Sequence, residues 1–504
     1  MIPQRALPRT AVLLFLLSLA MIAVQGYHFG VDDAAIYLPA VERVAAPELF
    51  PYGADFFLSH GRISIFSNVV GAMVRWLHVP LPWAVLGFHV LGIYLLLLAG
   101  HWLANLCFTR TRSQWAATLT LASVLTIPVA GSALPIMDPY LTARSLSTPL
   151  TLFALAAVLA SRPAAAAVFL AITALLHPQM AAYGVALAVL FSLLRPAPRR
   201  VPAEEAPAEE ALASSVGSFG LFQRLPDGFH FGPAQEPYRQ TLYSRTFFFA
   251  WEWTWYEWAG ALLPLAILFA IARVGLSAVT PAALRLCRAL LVLGVVSVAA
   301  FLFLSSSHNF DEFMRLQPMR SLQLIYIVLF LLLGGLIGEY LLREKVWQWL
   351  LLFVPISIGM YCVDRSIYPA SPHLELPGRT VTNPWLQAFF WVRDNTPHDA
   401  VFALPPRYLL MPGEDLHGFR AIAQRSMIAD EIKDSGVASV FPQMAPEWER
   451  EQQLTQGWDR YTAPDFFALT TRSPVSWVIV QPQQANGLDC PFQNAAVSVC
   501  RLKL

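Results

Sequence analysis

A succession of apolar runs, each about the length of a membrane crossing and joined by short polar segments, constrains this chain more than any other feature. "AVLLFLLSLAMIAV" begins at residue 11 and "WAVLGFHVLGIYLLLLAGHWLANLCF" at residue 83; further runs lie near 115–131, 146–160, 163–195, 259–272, 286–304, 321–342 and 346–362. About twenty apolar residues cross the hydrocarbon core as a helix, a backbone form that satisfies its own hydrogen bonds where no water can. The expectation is a polytopic α-helical membrane protein with about 9–11 spans. Composition agrees: 13% charged residues is about half the share in soluble domains. With 34 basic against 33 acidic side chains there is no basic field, so nucleic acid is excluded as a partner.

Arg5 and Arg9 precede the first run. No small-residue cleavage site follows it, which favours an uncleaved first helix over a signal peptide, with its N-terminus cytoplasmic. Residues 27–80 then form an external loop, in which "ISIFSNVVGAMVRWLHV", carrying Arg75, suits a helix lying in the interface. Arg110 and Arg112 mark the return. "GGLIGEY" places Gly334 and Gly338 at a helix-packing spacing. Two signals later conflict. Arg195, Arg199 and Arg200 hold the start of a flexible Pro/Ala/Glu-rich loop, 196–240, inside, whereas the tryptophans of "AWEWTWYEWAG" form an interfacial belt expected outside. Either 163–195 crosses once as a helix broken at Pro178, or a further crossing lies between 200 and 258.

From Asp364 onward Pro, Asp, Arg and Gln return and no further run is long enough to span. This divides the chain into a membrane domain, 1–363, and a soluble mixed α/β domain, 364–504. "PWLQAFFWVRDNTP" reads as a helix stopped by Pro397 and "APEWEREQQL" as another; "AVFALPP", "SMIAD", "SWVIVQ" and "AVSVCRL" read as strands. Cys490 and Cys500 flank "PFQNAAVSV", a spacing suited to a bridge across a hairpin in an oxidising compartment. Cys107, Cys287 and Cys362 read as small hydrophobes, and no zinc spacing is present.

The charged residues gather at the external ends of the spans. A carboxylate inside hydrocarbon costs about 3 kcal/mol on insertion scales, so acids kept at the edge invite a functional reading. Asp32 and Asp33, in "GVDDAAIYLP", fall where a water-filled pocket can open toward a lipid-borne substrate; the ordinary alternative is a helix N-cap. "PIMDPYLTARSL" supplies Asp138 and Arg144, and "LLHPQM" supplies His177 beside a helix break. "SSSHNFDEFMRLQPMRSL" carries His308, Asp311, Glu312, Arg315 and Arg320. Arg binds phosphate bidentately and His holds or shuttles a proton near neutral pH. Snorkelling to headgroups and bonding of free carbonyls are the structural alternatives. Glu252 and Glu257 lie among aromatics that can stack on sugar rings, although a membrane-interface belt explains them equally.

The phrases "GVDDAAIYLP", "ARSLSTPLTL", "LLHPQM", "AWEWTWYEWAG" and "RLQPMRSL", with "WVRDNTP" at 391–397, together resemble bacterial members of the GT-C superfamily of polytopic glycosyltransferases over most of the chain. The resemblance implies a GT-C-like membrane domain and transfer of a sugar from a polyprenyl-phosphate donor to an envelope or exopolysaccharide acceptor, glycan or lipid. It implies a bacterial inner-membrane protein whose C-terminal domain is extracytoplasmic. It further implies that Asp32 or Asp33 acts as base or metal-linked anchor and that Arg144, Arg315 or Arg320 stabilises the leaving phosphate. Asp138, His177, Glu252, Glu257 and His308 are then candidates for substrate contacts. Relatives often show a wider carboxylate pair or a second acidic motif, for which Asp138 is the one evident counterpart, so a divalent metal is admitted without being required. Two rival readings are a transporter or polysaccharide-export component, and a partner-binding C-terminal domain on an inert anchor with "RYLLMPGEDLHGFRAIAQRS" as its exposed surface. Transporters place ionisable groups at mid-membrane in repeated halves, a pattern absent here.

Overall fold

The computed structural model describes residues 7–194, 229–342 and 344–502. Among the described residues, six helices or helical stretches are long and apolar enough to cross a membrane: Pro8–Gln25, Leu81–Cys107, Trp255–Val274, Pro281–Ser305, His308–Tyr340 and Val346–Ile367. Three shorter apolar helices, Ala143–Leu159, Pro163–Leu176 and Pro178–Leu193, join them. The chain is a multi-pass helical membrane protein with a mixed α/β domain at its C-terminal end. The first nine helices are α1 (Leu7–Gln25), α2 (Ala34–Ala45), α3 (Asp55–Arg62), α4 (Phe66–Leu77), α5 (Leu81–Cys107), α6 (Thr111–Ser123), α7 (Ala143–Leu159), α8 (Pro163–Leu176) and α9 (Pro178–Leu193).

The bundle core is aliphatic, drawn from Leu14, Leu96, Leu121, Leu290 and Ile325 among others. The helix Leu322–Tyr340 is its most enclosed member and packs closely on α6. Gly334 and Gly338 permit this approach: a methyl group on either would meet Thr120 or Ala116 within 3 Å. Such small-residue contacts let membrane helices gain dispersion energy where no hydrophobic drive separates them from lipid. In α4, Val69, Trp76 and Leu77 stay exposed while Phe66 and Val70 are buried, the amphipathic pattern of an interface helix.

The run 163–195 does not cross once. Pro178 starts a new helix, and Gly184 of α9 packs against Leu170 of α8, so the two fold back as a hairpin about His177. Near its start, α9 touches the rim at Leu316 and Gln317, while Phe191 near its end lies under Arg285 at the start of Pro281–Ser305. Residues 229–232 meet Asn309, Phe310, Glu312 and Phe313, beyond the other end of that helix. The end of α9 and residue 229 therefore lie toward opposite ends of the helix Pro281–Ser305; residues 195–228, most of the expected flexible loop, lie outside the described residues.

The C-terminal region carries a five-stranded sheet in the order β4-β3-β5-β7-β6, with β3 Val401–Ala403, β4 Ser426–Met427, β5 Trp477–Val480, β6 Asp489–Gln493 and β7 Ser498–Arg501; a small hairpin of β1 Pro128–Val129 and β2 Leu134–Pro135 lies in the membrane part. β4, β3 and β5 run parallel, and β5, β7 and β6 antiparallel. Four strands and the helices Pro384–Asn395 and Ala445–Leu454 match the sequence reading. β6 does not: it is a short edge strand with no fully buried residue, interrupted by Pro491 and by an irregularity in its pairing with β7. Cys490 and Cys500 are bridged.

This region is stitched to the segment that follows α1. Tyr27 bridges Leu374, Val31 bridges His417, Gly30 accepts from the Gly418 amide at 2.8 Å, and the Tyr52 amide donates to Ser426 at 3.1 Å. Most of "RYLLMPGEDLHGFRAIAQRS" is buried: Tyr408, Glu414, His417, Phe419, Ile422 and Arg425 are all enclosed. The reading of this stretch as an exposed docking surface is corrected, since its apolar residues cover the sheet and the N-terminal loop.

Candidate functional site

Asp32 and Asp33 sit where the loop leaving α1 turns into α2. Asp32 adopts φ 50°, a left-handed conformation that Asp tolerates better than most residues. Asp33 occupies the N-cap position of α2 but makes no capping hydrogen bond. The capping explanation of the pair fails, because both side chains are turned to other partners. The Lys433 ammonium donates to Asp32 Oδ1 and to Asp33 Oδ1, the latter at 3.0 Å. Tyr140 donates its hydroxyl to Asp32 Oδ2 at 2.9 Å. Arg144 donates to Asp33 Oδ2 at 2.9 Å and to Asp138 at 3.0 and 3.2 Å, and Thr142 donates to Asp138 at 3.0 Å.

Burial alone would raise the Asp33 carboxyl. The Lys433 ammonium and the Arg144 guanidinium overcome it and hold the group well below the usual carboxylate range. Asp33 is thus a fixed anion and a weak base. Asp32 is the more accessible of the two, its side chain 37% exposed against 26% for Asp33.

A second set of groups faces the pair. Arg320 donates to Gln179 at 3.3 Å, and Tyr183 donates to the carbonyls of Leu316 and Gln317, tying the start of α9 to the segment that carries Arg320. The fields of Arg144 and Arg320 reach one another, and that of Arg320 reaches Asp33. His177 lies in the field of Arg144, Arg320 and His60. Burial pushes the His60 imidazole down to about 4, against the pull of Asp33, so it is neutral at pH 7. Arg144 Nε, Arg320 Nε, His60 Nδ1 and His177 Nδ1 are buried without a hydrogen-bond partner. An unmet buried polar atom costs about 1–3 kcal/mol, so these four neighbouring side chains keep bonding capacity that an acceptor-rich ligand could use. Beside them Leu175 and Leu316 are exposed.

Lys433 comes from the C-terminal domain and is held in place before any ligand arrives. Asp430 accepts from the amides of Ile432 and Lys433, at 2.7 and 2.5 Å, in the turn that opens the helix Lys433–Val440. Arg420 grips Asp434 at 2.9 Å, and Arg245 bonds to the Ile432 carbonyl and to Ser435. The loop bearing the acidic pair is clamped as well. His28 lies between Asp364 and Glu375, each at 3.1 Å, and Glu375 also meets His417 at 2.9 Å and the Phe29 amide at 2.9 Å. Burial lowers the His28 pKa, but the two carboxylates outweigh it and raise the group to about 9. Burial likewise raises Glu375, and His417 and His28 outweigh that to bring it down to about 2.

Asp138, Arg144, His177 and Arg320 are therefore gathered with the acidic pair. The other candidates belong to a separate rim cluster. Arg315 bonds to the Glu312 carbonyl at 3.0 Å, lies 3.5 Å from the Glu312 carboxylate and covers Phe229. His308 meets Tyr243 at 2.5 Å and Asp311 at 3.6 Å. Glu257 caps its own helix through Thr254, and Glu252 is exposed on the rim. Sequence reasoning did not find Tyr140, His60 or Lys433. Tyr140 lay between two residues already singled out, Asp138 and Arg144. No periodicity or spacing connects His60 or Lys433 with residue 32.

A divalent metal does not fit the pair as it stands. Each of its four oxygens already accepts from Lys433, Tyr140 or Arg144, and among the described residues no group of three or more His, Cys, Asp or Glu is arranged to hold a metal ion.

Residues 383–449 match a domain of unknown function, DUF6798, and this segment includes Arg420, Asp430, Lys433 and Asp434. Over most of its length the chain is similar to archaeal oligosaccharyltransferase AglB from Archaeoglobus fulgidus in complex with an inhibitory peptide and a dolichol-phosphate, at 10% identity and a TM-score of 0.41, covering 94% of this chain and 69% of that one. A crystal structure of the Archaeoglobus fulgidus oligosaccharyltransferase with Zn and sulfate is similar at 12% identity and a TM-score of 0.41, covering 93% and 67%. Similarity at this level carries no activity across. No curated protein matches the chain.

Proposed function

We propose that the protein is an integral-membrane glycosyltransferase that moves a sugar from a polyprenyl-phosphate donor to an envelope or exopolysaccharide acceptor, in the bacterial cytoplasmic membrane, with the C-terminal domain on the external side. The observation that carries this reading is the convergence of Asp33, Arg144, Arg320, His60 and His177 beside Asp32, with four of their polar atoms left without partners, and these residues are read as lining the donor cleft. The donor phosphate sits among these four residues and its polyprenyl chain leaves past Leu175 and Leu316. Asp32 takes the proton from the acceptor hydroxyl as that oxygen attacks the anomeric carbon, an assistance typically worth about 10²–10⁴ in rate. The bond from that carbon to the phosphate oxygen breaks, its electron pair stays with the phosphate, and the two guanidinium groups stabilise the growing charge. Asp33 anchors Lys433 and Arg144, and no step is routed through a metal.

The test is binding of radiolabelled undecaprenyl phosphate to the full-length protein in detergent, combined with sugar transfer in membranes. Arg320→Ala is expected to weaken binding, and Asp32→Asn to retain binding while transfer is lost. Full transfer in both Asp32→Asn and Asp33→Asn rejects the mechanism.

A further inference from the structure

We infer that Lys433 is the resident cation of the acidic pair, filling the place between the two carboxylates where a divalent ion would otherwise bind, and that it is the residue through which the C-terminal domain positions Asp32. The inference rests on the transfer reading only for what the pair is used for. Its geometry stands alone. Two carboxylates on adjacent residues, one of them in a left-handed conformation, turn one oxygen each toward a single ammonium. Their remaining oxygens are met by Tyr140 and Arg144. Lysine suits that place because its ammonium is a compact point charge with three donors, whereas the arginine fork is planar and rigid.

The identity of the residue is informative in this chain. Lys433 is one of three lysines against 31 arginines, so a basic position drawn at random would almost always be arginine. Arg144 joins Asp33 to Asp138 and Arg320 meets no carboxylate; the one group shared by both members of the pair is an ammonium. The support behind it is extensive. The Asp430 turn, the Arg420–Asp434 pair and Arg245 from the rim fix the backbone on both sides of Lys433, and its side chain is 14% exposed. A lysine that merely neutralised surface charge would need none of this.

The experiment is a Mn2+ titration of the full-length protein in detergent, followed by electron paramagnetic resonance of the free ion, on wild type, Lys433→Met, Lys433→Arg and the double variant Lys433→Met with Asp33→Asn. Wild type and Lys433→Arg are expected to leave Mn2+ free. Lys433→Met is expected to gain one site, lost again in the double variant. Mn2+ bound by wild type in a manner that Asp33→Asn removes overturns the inference, and this arm decides even where Lys433→Met does not fold. A folded Lys433→Met that gains no site also overturns it. Because the readout is metal binding and not transfer, failure here and failure of the transferase reading are separable.

Discussion

Two clusters of charge lie at the same end of the bundle, and they are built differently. The rim cluster of His308, Asp311, Glu312 and Arg315 satisfies its own charges: Arg315 pairs with Glu312 and His308 with Asp311, each three residues away, and Asp311 also meets the Ala234 amide and Tyr243 from an earlier segment. The cleft cluster draws Asp33, His60, Arg144, His177, Arg320 and Lys433 from across four hundred residues of chain, and it leaves buried donors without acceptors. Charges that satisfy one another are the signature of a structural fastening. Long-range assembly that keeps bonding capacity unused is the arrangement expected of a site.

Removing the pair should produce the largest effect. Asp32→Asn should lower transfer about 10²–10⁴-fold with insertion and thermal stability unchanged, as read from initial rates in membranes. Next comes the proposed phosphate subsite. Arg320→Ala should weaken undecaprenyl-phosphate binding by about tenfold or more, since a hydrogen bond to a charged group is worth about 1.5–3 kcal/mol. Arg315→Ala should leave that affinity unchanged. Equal losses in the two variants would erase the distinction between the clusters.

The loop clamp predicts a pH dependence. His28 has a folded-state pKa raised to about 9. Its contribution is fully present below the unfolded value of about 6.5 and is lost as pH rises through 9, at most about 3 kcal/mol. Glu375, brought down to about 2, contributes above about 4.5 and loses that contribution as pH falls through 2. Melting temperature should therefore decline from pH 6.5 to 9, and His28→Gln should flatten that decline; an unchanged slope would remove His28 as its source. The smallest effect expected is Glu257→Ala, which deletes a helix cap at about 1 kcal/mol and should leave ligand binding untouched.

Much of the fold was legible because hydrocarbon imposes a length and an apolar composition on every crossing, and the helices fall on the runs that show both. The hairpin at His177 was not, since a proline break is compatible with a kinked crossing as well as a reversal, and only the contact of Gly184 with Leu170 separates them. In the site, Asp32, Asp33, Asp138, Arg144, His177 and Arg320 stood out as charges or a histidine placed at span ends or beside a helix break, where burial in lipid would be costly. Arg315 stood out for the same reason and belongs elsewhere, because placement at the rim does not reveal which partner a side chain meets.

What the sequence by itself determined is the class of protein and the level at which its chemistry sits, for hydrophobic length and charge position act residue by residue and can be read in order along the chain. What only the tertiary structure decided is the partnership of Asp32 and Asp33 with Lys433 and the shared field of His60, His177 and Arg320. Those pairings act through space at a few ångströms, and no local propensity links residue 32 with residue 433.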